Sequence, residues 1–154
     1  MRIAIGADHA GVTLKDALAL LLDARGLPYT DFGTHGPESV DYPDIAAEVS
    51  RAVASGAYDR GVLVCGSGIG MAIAANKIPG IRAASVTEIE AARLSRSHND
   101  ANVLTLGARL TSLELARQIV TTFLETPFEG GRHERRVNKL TQLDGVSPKT
   151  HHLD

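Results

Sequence analysis

The chain has 154 residues, a formal charge of −2 and 44% apolar residues, with three Phe, three Tyr and no Trp. That length suits one domain, long enough to bury about two-thirds of its unfolded surface in a core of Ala, Val, Ile and Leu. A near-neutral charge without a basic face excludes a nucleic-acid surface, and a single cysteine excludes an internal disulfide and every multi-cysteine metal motif. No run approaches the roughly 18 apolar residues of a membrane span, and the N-terminus MRIAIGADHAG lacks a signal-peptide pattern, so a cytoplasmic protein is expected.

In chain order, Ile3–Gly6 reads as a first strand, and Ala7-Asp8-His9-Ala10-Gly11 as the turn leaving it. A helix follows with Val12, Leu14, Leu18, Leu21 and Leu22 on its apolar side and Lys15, Asp16 and Asp23 elsewhere; Gly26 and Pro28 stop it. Tyr29–Phe32 is a short second strand, and residues 33–43 are a loop rich in turn residues. Pro43 suits a first helical turn, with Ile45, Ala46, Val49, Ala52 and Val53 on the buried side. After Gly56, Val62-Leu63-Val64 is a third strand that runs into Cys65, a loop with glycine at alternate positions (Gly66, Gly68, Gly70) and a helix from Met71. Ile81–Val86 and Asn102–Leu106 are strands four and five, separated by a helix over 88–97. Thr111-x-x-Glu114 matches a capping box before an amphipathic helix carrying Leu115, Ile119, Val120, Phe123 and Leu124. Arg132–Leu143 reads as a last helix, so a domain over residues 1–143 and a tail over 144–154 are expected.

Strands alternating with helices specify an α/β chain: a single-domain, three-layer α/β/α Rossmann-like fold around a five-stranded parallel sheet. Ligands in such sheets sit beyond the carboxyl ends of the strands. Asp8-His9, Cys65-Gly66-Ser67 and Arg109 fall at those ends, whereas His98-Asn99 precedes strand five. A strand, a glycine loop and a helix place backbone N–H groups at one point, an arrangement that binds anions. A thiol beside it, Cys65, is a candidate for a lowered pKa and for reactivity. The loop is neither a dinucleotide fingerprint, which needs glycine where Met71 stands, nor a Walker loop, which needs Gly-Lys-Ser/Thr. The histidines are scattered without metal-ligand spacing. Arg132 and Arg136 share one face of the last helix; spacing alone favours a solvated basic face over the sharper reading, a fork for a phosphate.

Together, GADHAG (6–11), DYP (41–43), CGSGIG (65–70), AANK (74–77), SRSHNDANVL (95–104) and EGGRHERRV (129–137) resemble type B ribose-5-phosphate isomerase, in a group that also holds galactose-6-phosphate isomerase subunits. The likeness runs to about residue 143, with the motifs in the family's order. It implies interconversion of D-ribose 5-phosphate and D-ribulose 5-phosphate through an enediolate, without metal or cofactor, by a homodimer with shared active sites that can pair into a tetramer. The resemblance makes Cys65 the base between C1 and C2, because Met71 stands where one branch of the family has a glutamate. It makes His98 the group that opens the sugar ring and Ser67 a proton shuttle. Substrate binding falls to Asp8, His9, Tyr42, Gly66, Ser67, Gly68, Ile69, Gly70, Asn99, Arg109, Arg132 and Arg136, the last two reaching across the dimer to the phosphate. The alternatives are isomerisation of another sugar phosphate (allose, galactose or a tetrose) and a non-catalytic phosphosugar-binding module.

Overall fold

The strand segments alternate side chains about the pleat, and both sets are apolar, which is the pattern of a sheet covered on two faces. In the computed structural model, which describes residues 1–145, five parallel strands form one sheet: β1 (Ile3–Ala7), β2 (Tyr29–Asp31), β3 (Arg60–Cys65), β4 (Ala83–Ser85) and β5 (Val103–Gly107), in the order β2-β1-β3-β5-β4. The helices are α1 (Val12–Ala24), α2 (Tyr42–Ala54), α3 (Ile69–Ala75), α4 (Ile89–Ser97), α5 (Leu113–Glu125) and α6 (Arg132–Asp144). Ile3, Ile5, Val62, Val64, Leu104 and Leu106 face one way, into a core shared with Leu18 and Leu22 of α1 and Ile119 and Phe123 of α5. Ala4, Leu63, Cys65 and Val103 face the other way, against Ala46, Val49 and Val53 of α2 and Met71 and Ala75 of α3. The three-layer α/β/α architecture is therefore present. Among the described residues, no helix is long and apolar enough to cross a membrane.

Three local expectations change. The α5 cap is Ser112, whose Oγ accepts from Leu115 N at 3.2 Å, and not Thr111, whose hydroxyl is buried. The capping box is one residue out of phase, because Thr111 N already bonds to Gly107 O and stays in the β5 turn. Lys15, read as lying off the apolar side of α1, is 1% exposed. Its ammonium meets both oxygens of Asp31 and the carbonyl of Thr34, each at 2.8 Å, and this pairing is what makes a buried lysine tolerable. Asp144, assigned to the tail, closes α6 and accepts from Gly80 N at 2.7 Å; tail residues 146–154 lie outside the described residues.

Candidate active site

The strand order reverses between β1 and β3, and the crevice beyond their carboxyl ends is where such sheets take ligands. Asp8 and His9 leave β1 there, and Cys65 ends β3 beside them, with Asp8 N donating to Val64 O at 3.1 Å. β5 ends next to β3, with Cys65 registered on Gly107, and the turn after it folds back so that Arg109 N donates to Gly66 O at 3.0 Å. The Arg109 guanidinium then lies over Gly66, at 3.5 Å from where a Cβ would be.

The Cys65 loop is held rigidly. Gly68 takes φ +80°, and a Cβ there would come within 2.8 Å of the Leu106 carbonyl carbon. A Cβ on Gly107 would meet the Ser67 backbone at 2.5 Å. The loop and the end of β5 thus pack backbone on backbone, which only glycine permits. Gly68 N donates to Cys65 Sγ at 3.1 Å and Ile69 N to Ser67 Oγ at 3.2 Å. Thr105, buried within β5, donates its hydroxyl to Gly68 O at 2.7 Å. Among the described residues, the N–H groups of Gly66, Ser67 and Gly70 find no acceptor, so they remain available to an oxyanion.

The neighbouring side chains are also set. Asp8 is buried, and its Oδ1 accepts from Ala10 N and Gly11 N at 3.0 and 3.2 Å, leaving Oδ2 for a ligand. Val40 N donates to His9 Nδ1 at 3.2 Å, so the ring proton resides on Nε2, facing away from that bond. The Tyr42 ring covers Gly70, 2.6 Å from where a Cβ would stand. Tyr42, Ile69 and Ile73 leave an apolar surface around the loop, 40%, 56% and 59% exposed.

The remaining candidates gather elsewhere. β5 runs roughly 13 Å from Val103 to Gly107 at about 3.3 Å per residue, and His98 and Asn99 precede its start. They therefore lie beyond the edge of the sheet opposite Cys65. α6 begins there too, since Glu129 N donates to Ser97 O at 3.1 Å. His98 stacks on His133 with ring centroids 4.1 Å apart and planes 13° apart, and the exposed Arg132 and Arg136 flank the pair. Burial, then the His98 ring and the two guanidiniums, hold His133 below the ordinary histidine pKa, against the opposing pull of Glu129. His98, Glu129 and His133 bring ligand-type atoms within 4.8 Å of one another. Imidazole binds a metal in its ring plane, so one ion cannot lie in the planes of two stacked rings, and the trio does not form a cation site as it stands.

One chain therefore carries two clusters at opposite edges: Cys65, Ser67, Asp8, His9, Tyr42 and Arg109 at one, and His98, Asn99, Arg132 and Arg136 at the other. Sequence reasoning missed Thr105 and His133. The first leaves a signal, a lone hydroxyl in an apolar strand; the second becomes visible only as the stacked partner of His98.

The chain matches the Ribose/Galactose Isomerase family over residues 3–140. It is 48% identical to ribose-5-phosphate isomerase B of Escherichia coli, over 93% of this chain and 96% of that one. It is 42% identical to D-erythrulose-4-phosphate isomerase of Pectobacterium atrosepticum, over 91% of this chain and 93% of that one. The solved ribose-5-phosphate isomerase B of Clostridium thermocellum superposes with a TM-score of 0.92 at 54% identity, covering 94% of this chain and 97% of that one. With the same fold and near-complete coverage, the chain belongs to the Ribose/Galactose Isomerase family.

Proposed function

We propose that this protein interconverts D-ribose 5-phosphate and D-ribulose 5-phosphate, as a homodimer in which each copy completes the other's site. The observation that carries the reading is the split itself. Cys65 sits under fixed N–H donors at one edge of the sheet, whereas His98 and the paired arginines stand at the opposite edge. A second copy seated on the apolar surface of Tyr42, Ile69 and Ile73 would bring the two clusters together. We place the enzyme in the cytoplasm, where a free thiol stays reduced.

In the reaction, His98 of the second copy moves the proton that opens the furanose. Cys65 Sγ, as thiolate, takes the C2 proton. The electron pair forms the C1–C2 double bond and leaves negative charge on O1, which the loop N–H groups stabilise; one such donor is typically worth about 3 kcal/mol. Ser67 relays the O2 proton to O1, and the Cys65 thiol returns its proton to C1. Electrons move only between C1 and C2, so the sequence balances without an external oxidant. His9, through Nε2–H, and Arg132 and Arg136 of the second copy hold the phosphate, while Asp8, Arg109 and the second copy's Asn99 take the hydroxyls. None of these groups measures the length of the sugar. A relative named for D-erythrulose 4-phosphate makes a tetrose phosphate the second reading.

The test is conversion of ribose 5-phosphate by wild type, Cys65→Ala and His98→Asn, followed by unfolding and refolding the two variants together. Each variant alone should be nearly inactive. A random mixture should recover roughly a quarter of wild-type activity, because half the dimers carry one intact site of two. Full activity of Cys65→Ala overturns the mechanism, and no recovery in a folded mixed dimer overturns the shared site. Turnover of erythrose 4-phosphate alone favours the tetrose reading.

A further inference from the structure

His98 closes α4, and its N–H still donates to Leu94 O at 2.9 Å. Two residues later the chain turns sharply: Asp100 takes φ +48°, the one non-glycine residue with positive φ among those described. L residues enter that region at a cost, and Asp does so when its side chain is anchored locally. Here the anchoring is extensive. Asp100 Oδ1 accepts from Arg96 Nη1 at 2.8 Å and Oδ2 from Arg82 Nη2 at 3.4 Å, while its carbonyl accepts from Arg82 Nε at 2.9 Å.

Arg96 is the centre of this knot. It is 2% exposed, lies over the Phe123 ring at 5.9 Å, and donates to Ala101 O at 2.6 Å and to Thr126 O at 3.2 Å. One guanidinium therefore fastens the end of α4 that carries His98 to the Thr126 segment that leads into Glu129 and His133. The bonds run inward, and every donor and acceptor named is satisfied by protein, so the knot holds geometry and takes no ligand.

We propose that Asp100 and Arg96 are positioning residues for His98: their ion pair fixes the turn that presents the imidazole to the sugar in the other copy's site. The proposal rests on the isomerase reading and assigns the pair to ring opening, not to proton transfer between C1 and C2. The two steps separate chemically. Ribose 5-phosphate binds as a furanose and must open. Ribulose 5-phosphate cannot close, because the oxygen that would attack its C2 carbonyl carries the phosphate. At saturation, a defect confined to ring opening slows turnover of the aldose and spares turnover of the ketose, whose open-chain product can dissociate and cyclise in solution without the enzyme.

The experiment measures kcat in both directions for wild type, Asp100→Asn, Asp100→Gly, His98→Asn and Cys65→Ala, with a thermal melt of each. Asp100→Asn should lower kcat on ribose 5-phosphate by about tenfold or more, as expected for a misplaced acid–base group, and kcat on ribulose 5-phosphate by less than about twofold. Asp100→Gly relieves the positive φ, which offsets part of the cost of deleting the ion pair. The same directional split is expected from it. Equal loss in both directions, or full aldose turnover by a folded Asp100→Gly, overturns the proposal. His98→Asn should give the split and Cys65→Ala should lose both directions. A split in His98→Asn without one in either Asp100 variant sinks the positioning role alone, whereas no split in His98→Asn sinks it together with the role of His98.

Discussion

The hydroxyl of Thr105, inside the fully buried strand β5, is bonded to the carbonyl of Gly68 in the Cys65 loop at 2.7 Å. It joins the central sheet to the element that presents the N–H groups, and Thr105→Val keeps the shape while removing the donor. The Gly68 carbonyl keeps its bond from Ala72 N at 3.1 Å, so losing the Thr105 donor should cost about 1 kcal/mol, read as a lower urea midpoint at constant slope. The loop should also lose preorganisation, so kcat should fall more than KM rises. Wild-type kcat in a destabilised Thr105→Val would separate the loop's geometry from catalysis.

Gly70 offers a test of Tyr42. A methyl group at residue 70 would enter the space of the Tyr42 ring, which must then swing off the loop. Because the family resemblance assigns Tyr42 to sugar binding and not to the proton transfer, Gly70→Ala should raise KM several-fold, on the order of fivefold, with little change in kcat. A kcat collapse with unchanged KM would argue that the loop itself had moved.

Lys15 and Asp31 form the buried pair that ties α1 to β2 and the Thr34 carbonyl. Lys15→Met leaves Asp31 without its cation and should cost about 3 kcal/mol in denaturant unfolding, because a half-buried carboxylate loses its partner. Adding Asp31→Leu should restore part of that loss. A double variant as unstable as the sum of the two single variants would show that the pair does not interact.

The His133 imidazole is held below the usual histidine range, first by burial, then by His98, Arg132 and Arg136. The folded chain therefore binds a proton less readily than the unfolded chain, whose histidine titrates near about 6.5. Stability from this group is complete above about pH 6.5 and is lost as pH falls from there toward the folded value. Thermal unfolding followed from about pH 7.5 to about pH 5 should show that loss, and His133→Gln should flatten it. An identical pH slope in His133→Gln would assign the loss to other groups.

The sequence by itself determined the fold class and one half of the candidate site. Apolar runs such as Val62-Leu63-Val64, spaced by helical patterns, admit little besides a parallel sheet covered on both faces. A cysteine at the strand end before alternate glycines marks a candidate oxyanion loop through backbone requirements that are local. Tertiary structure decided what depends on contacts distant in the chain. Lys15 reads as a surface residue until Asp31 and Thr34 come within 2.8 Å of its ammonium. Thr111 reads as a cap until the β5 turn claims its N–H. His98 and Cys65 belong to one set of motifs, yet the parallel strand between them carries them to opposite edges of the sheet. Motif order is a property of one dimension. Which edge a residue reaches is set by strand direction and by the side from which each helix returns, and only the folded chain fixes both.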